Sequence, residues 1–179
     1  MEDWNVVVSV QPGRYREAYR LLEPFGRIHR TAFYNVFTMK VEDIRRFLEE
    51  LREKASVSPS QYECLRHVMP AQKTFLFQSP DEFAIRAREA AGGWVPDLAD
   101  KKFYVRMHRR GFKGRLSSHD EEWSLGKFLL AGLENMENQG RIEFENPDAV
   151  CVVETVGQRA GLSLWTREDM RRFPYLHVD

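Results

Sequence analysis

The chain has 179 residues, with 27 basic and 27 acidic side chains and a formal net charge of zero; at 42% hydrophobic and 30% charged, its composition is that of a folded domain rather than a disordered or fibrous chain. No apolar run approaches the roughly 20 residues of a bilayer-spanning helix, and the first residues lack the basic-then-apolar order of a secretory signal, so a cytoplasmic location is expected. Cys64 and Cys151 are far apart with no CxxC pair, which argues against a metal site or a disulfide framework and for small core residues.

Residues 4–10 are Val-rich and weakly alternating, as in a buried strand, and Pro12-Gly13 breaks them. Tyr15, Ala18, Tyr19 and Leu22 recur at helical spacing opposite Arg16 and Arg20, which predicts an amphipathic helix ending near Pro24 and Gly26. Residues 28–41 are β-branched and aromatic, too long for one average strand, and read as a hairpin turning near Tyr34-Asn35. Ile44, Phe47, Leu48 and Leu51 mark a second helix from residue 42 to about residue 55. A polar loop follows at 56–60, and 68–77 supplies a last strand with Pro70 at its edge or start. The order βαββαβ is that of a ferredoxin-like domain, placed at residues 1–78.

A second domain, residues 79–179, begins at Ser79-Pro80-Asp81-Glu82. These residues offer a helix N-cap, a proline at the first helical position and a glutamate at the third. Phe83, Ala87 and Ala90 face inward, and Gly92-Gly93 should end the helix through positive φ. After a connector at 94–100, Phe103, Val105 and Met107 alternate with Tyr104, Arg106 and His108, a strand of which one face alone is expected in the core. Gly111-Phe112-Lys113-Gly114 turns the chain, and Ser118 to Glu121 forms a capping box for a helix carrying Leu125, Phe128, Leu129 and Leu133 to about residue 137. Strands at 150–156 and 162–166, joined by a short turn, should pair antiparallel, whereas the strand–helix–strand before them makes a right-handed parallel crossover. The second domain is therefore expected to be α/β with a mixed sheet.

Lys101, Lys102, Arg106, Arg109, Arg110, Lys113 and Arg115 fall in one stretch without an acid, and the acids collect afterwards, from Asp120 to Asp148. Such a cluster can neutralise RNA phosphates with release of counterions. Tyr104, His108 and Phe112 are rings that can stack on unpaired bases, while Gly111 and Gly114 let backbone amides approach a phosphate. The opposite reading is a solvated basic edge, or salt bridges to the acidic helix that follows. His108 has no ligand partners at metal-binding spacing, so it reads as a hydrogen-bonding surface residue.

The run from Phe103 to Gly111 resembles the strand of the THUMP domain, as does the run Asn146-Pro147-Asp148-Ala149-Val150-Cys151-Val152-Val153-Glu154-Thr155-Val156-Gly157; Ser117-Ser118 and the helix start at 121–126 also fit. The resemblance covers residues 79–179, and the unit before it looks like the ferredoxin-like domain that usually precedes THUMP. It implies binding of structured RNA, most of all tRNA near its acceptor end, on behalf of a separate modifying enzyme. No P-loop, GxGxxG or HxE with a Cys pair follows, so no catalytic residues and no cofactor are expected. The nearest likeness is to stand-alone members, including the adaptor that assists cytidine acetylation of tRNA. By matching positions, RNA contacts fall to Arg106, His108, Arg109, Arg110 and Lys113, with Lys101 and Lys102 as outlying electrostatic contributors and Arg159 and Arg167 as secondary candidates. Asp148 reads as a structural cap, and Glu154 as the partner of an arginine.

Two other readings stand beside this one. An enzyme would use His108 or His119 with Glu121 or Glu122 in a concave pocket. A protein-interaction or small-ligand regulatory module would have no RNA role and would expose an apolar strand face at 28–41.

Overall fold

Residues 2–179 are described by a computed structural model, in which the valine run forms β1 (Val6–Val10). Val6, Val7 and Val8 are all fully buried, as expected of a central strand with both faces covered. It is followed by α1 (Tyr15–Leu22), a 3-10 turn over Glu23–Phe25, β2 (Arg27–Arg30), β3 (Val36–Lys40), α2 (Ile44–Val57) and β4 (Leu65–Pro70). The expected hairpin turn contains Asn35 at φ 55°. Asp43 caps α2 by accepting a hydrogen bond from the Arg46 N–H at 2.9 Å. The strands lie in the order β2-β3-β1-β4, with each neighbouring pair antiparallel, which is the ferredoxin-like arrangement. The polar loop expected at 56–60 is instead the end of α2 and a 3-10 helix at Pro59–Cys64.

The single strand expected at 68–77 is two strands in two sheets. The Ala71 N–H still donates to Asn5 O in the first sheet, but the next one, of Gln72, donates to Leu162 O in the second. Beyond this point β5 (Lys73–Leu76) pairs with a later strand. The chain accordingly divides into two compact units. The first runs up to Ala71 and includes Met170–His177; the second comprises Gln72–Asp169 with Val178–Asp179. This division differs from the 1–78 and 79–179 partition at both ends. Within the first unit, Phe173 and Leu176 are buried, and the Val68 N–H donates to Tyr175 O at 3.0 Å.

The second unit continues with α3 (Pro80–Gly92), β6 (Lys101–His108), α4 (Ser118–Asn135), β7 (Gly140–Ile142), β8 (Ala149–Val156) and β9 (Arg159–Thr166), with α5 (Arg167–Arg172) crossing into the first. Its sheet has the order β5-β9-β8-β6-β7. β6 is parallel to β7 and β8, whereas β9 is antiparallel to β8 and β5. This is the mixed sheet expected, with β7 and α5 as elements that the sequence pattern did not reveal. Phe83 and Ala87 of α3, Leu125, Leu129 and Leu133 of α4, and Phe103, Val105 and Cys151 of the sheet share one buried core. Ser79 Oγ accepts from the Glu82 N–H at 3.1 Å, and Glu82 returns a carboxylate oxygen to the Gln78 N–H at 2.8 Å. The cap of α4 is Ser117, one residue before the serine expected. α3 ends at Gly93 with φ −66°, so no left-handed residue closes it. Among the described residues, no helix is long and apolar enough to cross a membrane.

Candidate nucleic-acid interface

The basic run is contiguous in sequence but not in space. Lys101 and Lys102 open β6 whereas Arg109 and Arg110 follow its end, and a rise of about 3.3 Å per residue sets Lys102 and Arg109 about 23 Å apart. Because β6 and β8 are parallel and β9 returns antiparallel, Arg109, Arg110, Lys113 and Arg159 belong to one end of the sheet. Lys101, Lys102 and Arg167 belong to the other.

At the Lys101 end, Asp148 organises the strand start. It accepts the Lys102 N–H at 2.8 Å through Oδ2, and its own N–H donates to Lys102 O at 2.7 Å. Arg167 holds the other carboxylate oxygen at 3.0 Å and donates to Asn146 O and Pro147 O, each at 3.1 Å. The Lys102 backbone N–H above all, then Arg167, Lys102 and Lys101, hold the Asp148 carboxyl below the ordinary aspartate range against its partial burial. Asp148 is thus the structural cap expected, and Arg167 is its latch. Lys101 is exposed.

In mid-strand, Arg106 is not free to meet a phosphate. Its Nη2 lies 2.7 Å from Asp179 Oδ1, its Nη1 lies 3.8 Å from Glu122 Oε1, and its guanidinium sits 5.3 Å from the Tyr104 ring centre. Burial draws its pKa down, but the Asp179 and Glu122 carboxylates outweigh that and leave it raised. The ion pair with Glu122 is the bridge to the following helix that composition alone allowed. Tyr104 is buried, with its ring 5.2 Å from that of Phe144 and its hydroxyl 3.4 Å from the Asp179 carboxylate, so at this position the second face of β6 is covered too, where one face alone was expected, while Arg106 and His108 on that face stay half-buried. This burial removes Tyr104 from the stacking rings.

At the far end, Glu154 is 1% exposed and binds two of the expected contacts at once: His108 Nδ1 lies 2.8 Å from one carboxylate oxygen, and the Arg110 guanidinium pairs with the other. The Arg109 guanidinium donates to Gly111 O, and Arg159 donates to the Thr74 hydroxyl at 2.7 Å. Gly111 has φ +105° and would place a Cβ 3.2 Å from Gly157 Cα, so its glycine serves a close backbone approach within the protein. Gly114 has φ +78° and open space around it. Phe112 packs on Phe77 with ring centres 5.0 Å apart, under the Arg115 guanidinium at 4.9 Å. Lys113 and Arg115 are the exposed cations here, and neither makes an ion pair among the described residues.

Sequence reasoning passed over a second basic and aromatic surface. Trp123 on α4 and Phe144 after β7 are 63% and 62% exposed, and both line a cavity of about 210 Å³ with His119, Glu122 and Lys127. The signal was present: Trp123 lies off the Leu125, Leu129 and Leu133 stripe, an aromatic on a polar helix face. His119 and Glu122 share this cavity, but no hydrogen bond joins them.

No family model and no curated protein sequence matches the chain. The fold places it among THUMP-like architectures, a ferredoxin-like unit followed by an α/β unit with a mixed sheet. TrmN from Thermus thermophilus is similar at TM-score 0.61 and 17% identity over 90% of this chain and 45% of that one. PH1313 from Pyrococcus horikoshii is similar at TM-score 0.56 and 16% identity over 92% of this chain and 55% of that one. A 4-thiouridine synthetase solved with RNA and ATP is similar at TM-score 0.52 and 15% identity, over 92% of this chain and 42% of that one. The chain thus spans about half the length of the structures it matches.

Proposed function

We propose that the chain is a non-catalytic RNA-binding module that takes tRNA near its acceptor end and presents it to a separate modifying enzyme, a cytidine acetyltransferase. The observation that carries this reading is the end of the second sheet beyond β6. There Lys113 and Arg115 are exposed on either side of Gly114, whose left-handed backbone is open to approach. Such a loop can set two cations and backbone N–H groups against one phosphodiester stretch. The likeness in fold to a synthetase solved with RNA supports the same reading. Arg106, His108 and Arg110 then act as the scaffold of the loop, through Asp179, Glu122 and Glu154, and phosphate contact passes to Lys113, Arg115 and Arg109.

The test is a mobility shift of tRNA beside the same tRNA trimmed of its 3′ single-stranded end, followed by co-purification with the acetyltransferase. Selective loss of the shift on trimming is expected. Equal binding of both RNAs would remove acceptor-end recognition, and no shift at low salt would remove the RNA role.

A further inference from the structure

We infer that the cavity between α4 and the β6–β7 edge is a subsite for one unpaired nucleobase, with its phosphate held by Lys127 and Arg88. The inference rests on the RNA-binding reading and adds a second contact surface to it, on α3, α4 and the segment after β7.

Two large aromatic rings of the second unit stand in water. Trp4 and Trp165 are 2% and 1% exposed, whereas Trp123 is 63% exposed and Phe144 is 62% exposed. Both rings border the same cavity of about 210 Å³, whose floor is Tyr104, Leu130 and Ile142. Two large rings held at the mouth of an apolar hollow favour a flat apolar occupant, because covering them removes aromatic surface from water.

Charge selects among such occupants. Lys127 Nζ sits 4.2 Å from the Trp123 ring centre, and Arg88, on α3, shares the neighbouring surface with Trp123 and Lys127. Arg88 donates to the Ser124 hydroxyl at 3.4 Å, and neither cation makes an ion pair among the described residues. The acid at the cavity, Glu122, is engaged by the Met107 N–H at 2.8 Å and by Arg106. Glu121 lies within reach of the Arg88 charge, but no ion pair among the described residues holds either cation, and aromatic faces beside such cations match a base on its phosphodiester backbone, with stacking for the ring and the ammonium and guanidinium for the phosphate. His119 adds a polar edge for a hydrogen bond to the base.

Tryptophan emission tests this directly, since Trp123 is the most exposed of the indoles and Trp4 and Trp165 are buried. Single-stranded oligoadenylate should quench the emission of the full chain. Read by the anisotropy of a labelled oligoadenylate, because substitution of Trp123 removes the emitter, Trp123→Ala and Phe144→Ala should each weaken binding about tenfold while leaving binding of an RNA duplex unchanged, and Trp123→Phe should retain most of the affinity. Thermal melting confirms that each variant is folded. If both alanine variants bind oligoadenylate as the parent does and tRNA still shifts, the subsite is wrong and the RNA reading survives. If polyglutamate quenches and competes equally, the surface is an acidic-peptide site instead. Failure of the parent chain to bind either RNA overturns both.

Discussion

Glu154 Oε1 lies 2.8 Å from His108 Nδ1 at a position where β6 and β8 are directly in register. The same carboxylate, 1% exposed, reaches the Arg110 guanidinium with its second oxygen. A carboxylate this deep is tolerated because it is paired and hydrogen-bonded, and removing one member leaves an uncompensated charge. The trio therefore fixes where the loop after β6 begins.

Glu154→Ala is expected to lower the unfolding free energy by about 3 kcal/mol, measured by urea denaturation. The sharper measurement is a double-mutant cycle with Arg110→Ala. Coupling above about 1 kcal/mol is expected for partners in contact, and a value near zero would show that the pair holds nothing in place.

Gly111→Ala should destabilise by about 2 kcal/mol, because a left-handed φ and a close approach act together. The new Cβ would stand 3.2 Å from Gly157 Cα, and Gly157 N–H already donates to Arg110 O at 2.8 Å, so the turn cannot retreat without losing that bond. Gly114→Ala meets open space at φ +78° and should cost about 1 kcal/mol. Equal losses in denaturation midpoint would mean that the Gly111–Gly157 approach is not what constrains the turn.

What the sequence disclosed was what its neighbours in sequence decide. The Ser79 to Glu82 cap and the hairpin around Asn35 follow from local chemistry, and the pairing of Glu154 with an arginine follows from the cost of burying a lone carboxylate in an apolar strand, whichever arginine supplies the charge. The break at Ala71 does not, because alternation is the same whether a strand continues in one sheet or passes to another. Burial of Tyr104 was hidden for a related reason: its cover, Phe144 and Asp179, comes from distant parts of the chain. The basic run misled through strand geometry, since an extended segment of eight residues carries its two termini to opposite ends of a sheet.

Acid should act through Asp148. Its folded carboxyl lies below the ordinary value, so its contribution to stability is present above the unfolded pKa of about 3.9 and is lost as pH falls through the lower folded value. Asp148→Asn cannot titrate, and its denaturation midpoint should fall less steeply than that of the parent chain below about pH 4. Parallel acid profiles for the two proteins would show that the Lys102 and Arg167 contacts add no stability.

Salt dependence should separate the exposed cations from the engaged ones. A cation that neutralises a phosphate contributes roughly 0.9 to the slope of log affinity against log salt on a duplex. Lys113→Ala and Arg115→Ala should each reduce the slope for tRNA by about that amount, since both side chains are exposed. Arg106→Ala should reduce it far less, because its guanidinium already faces Asp179 at 2.7 Å and Glu122 at 3.8 Å. Lys101→Ala, about 23 Å or more away along the strand, separates the two ends of the sheet. A slope lost there and kept in Lys113→Ala would move the RNA to the Asp148 end. An Arg106→Ala slope as low as that of Lys113→Ala would mean that Asp179 gives way to phosphate when RNA binds.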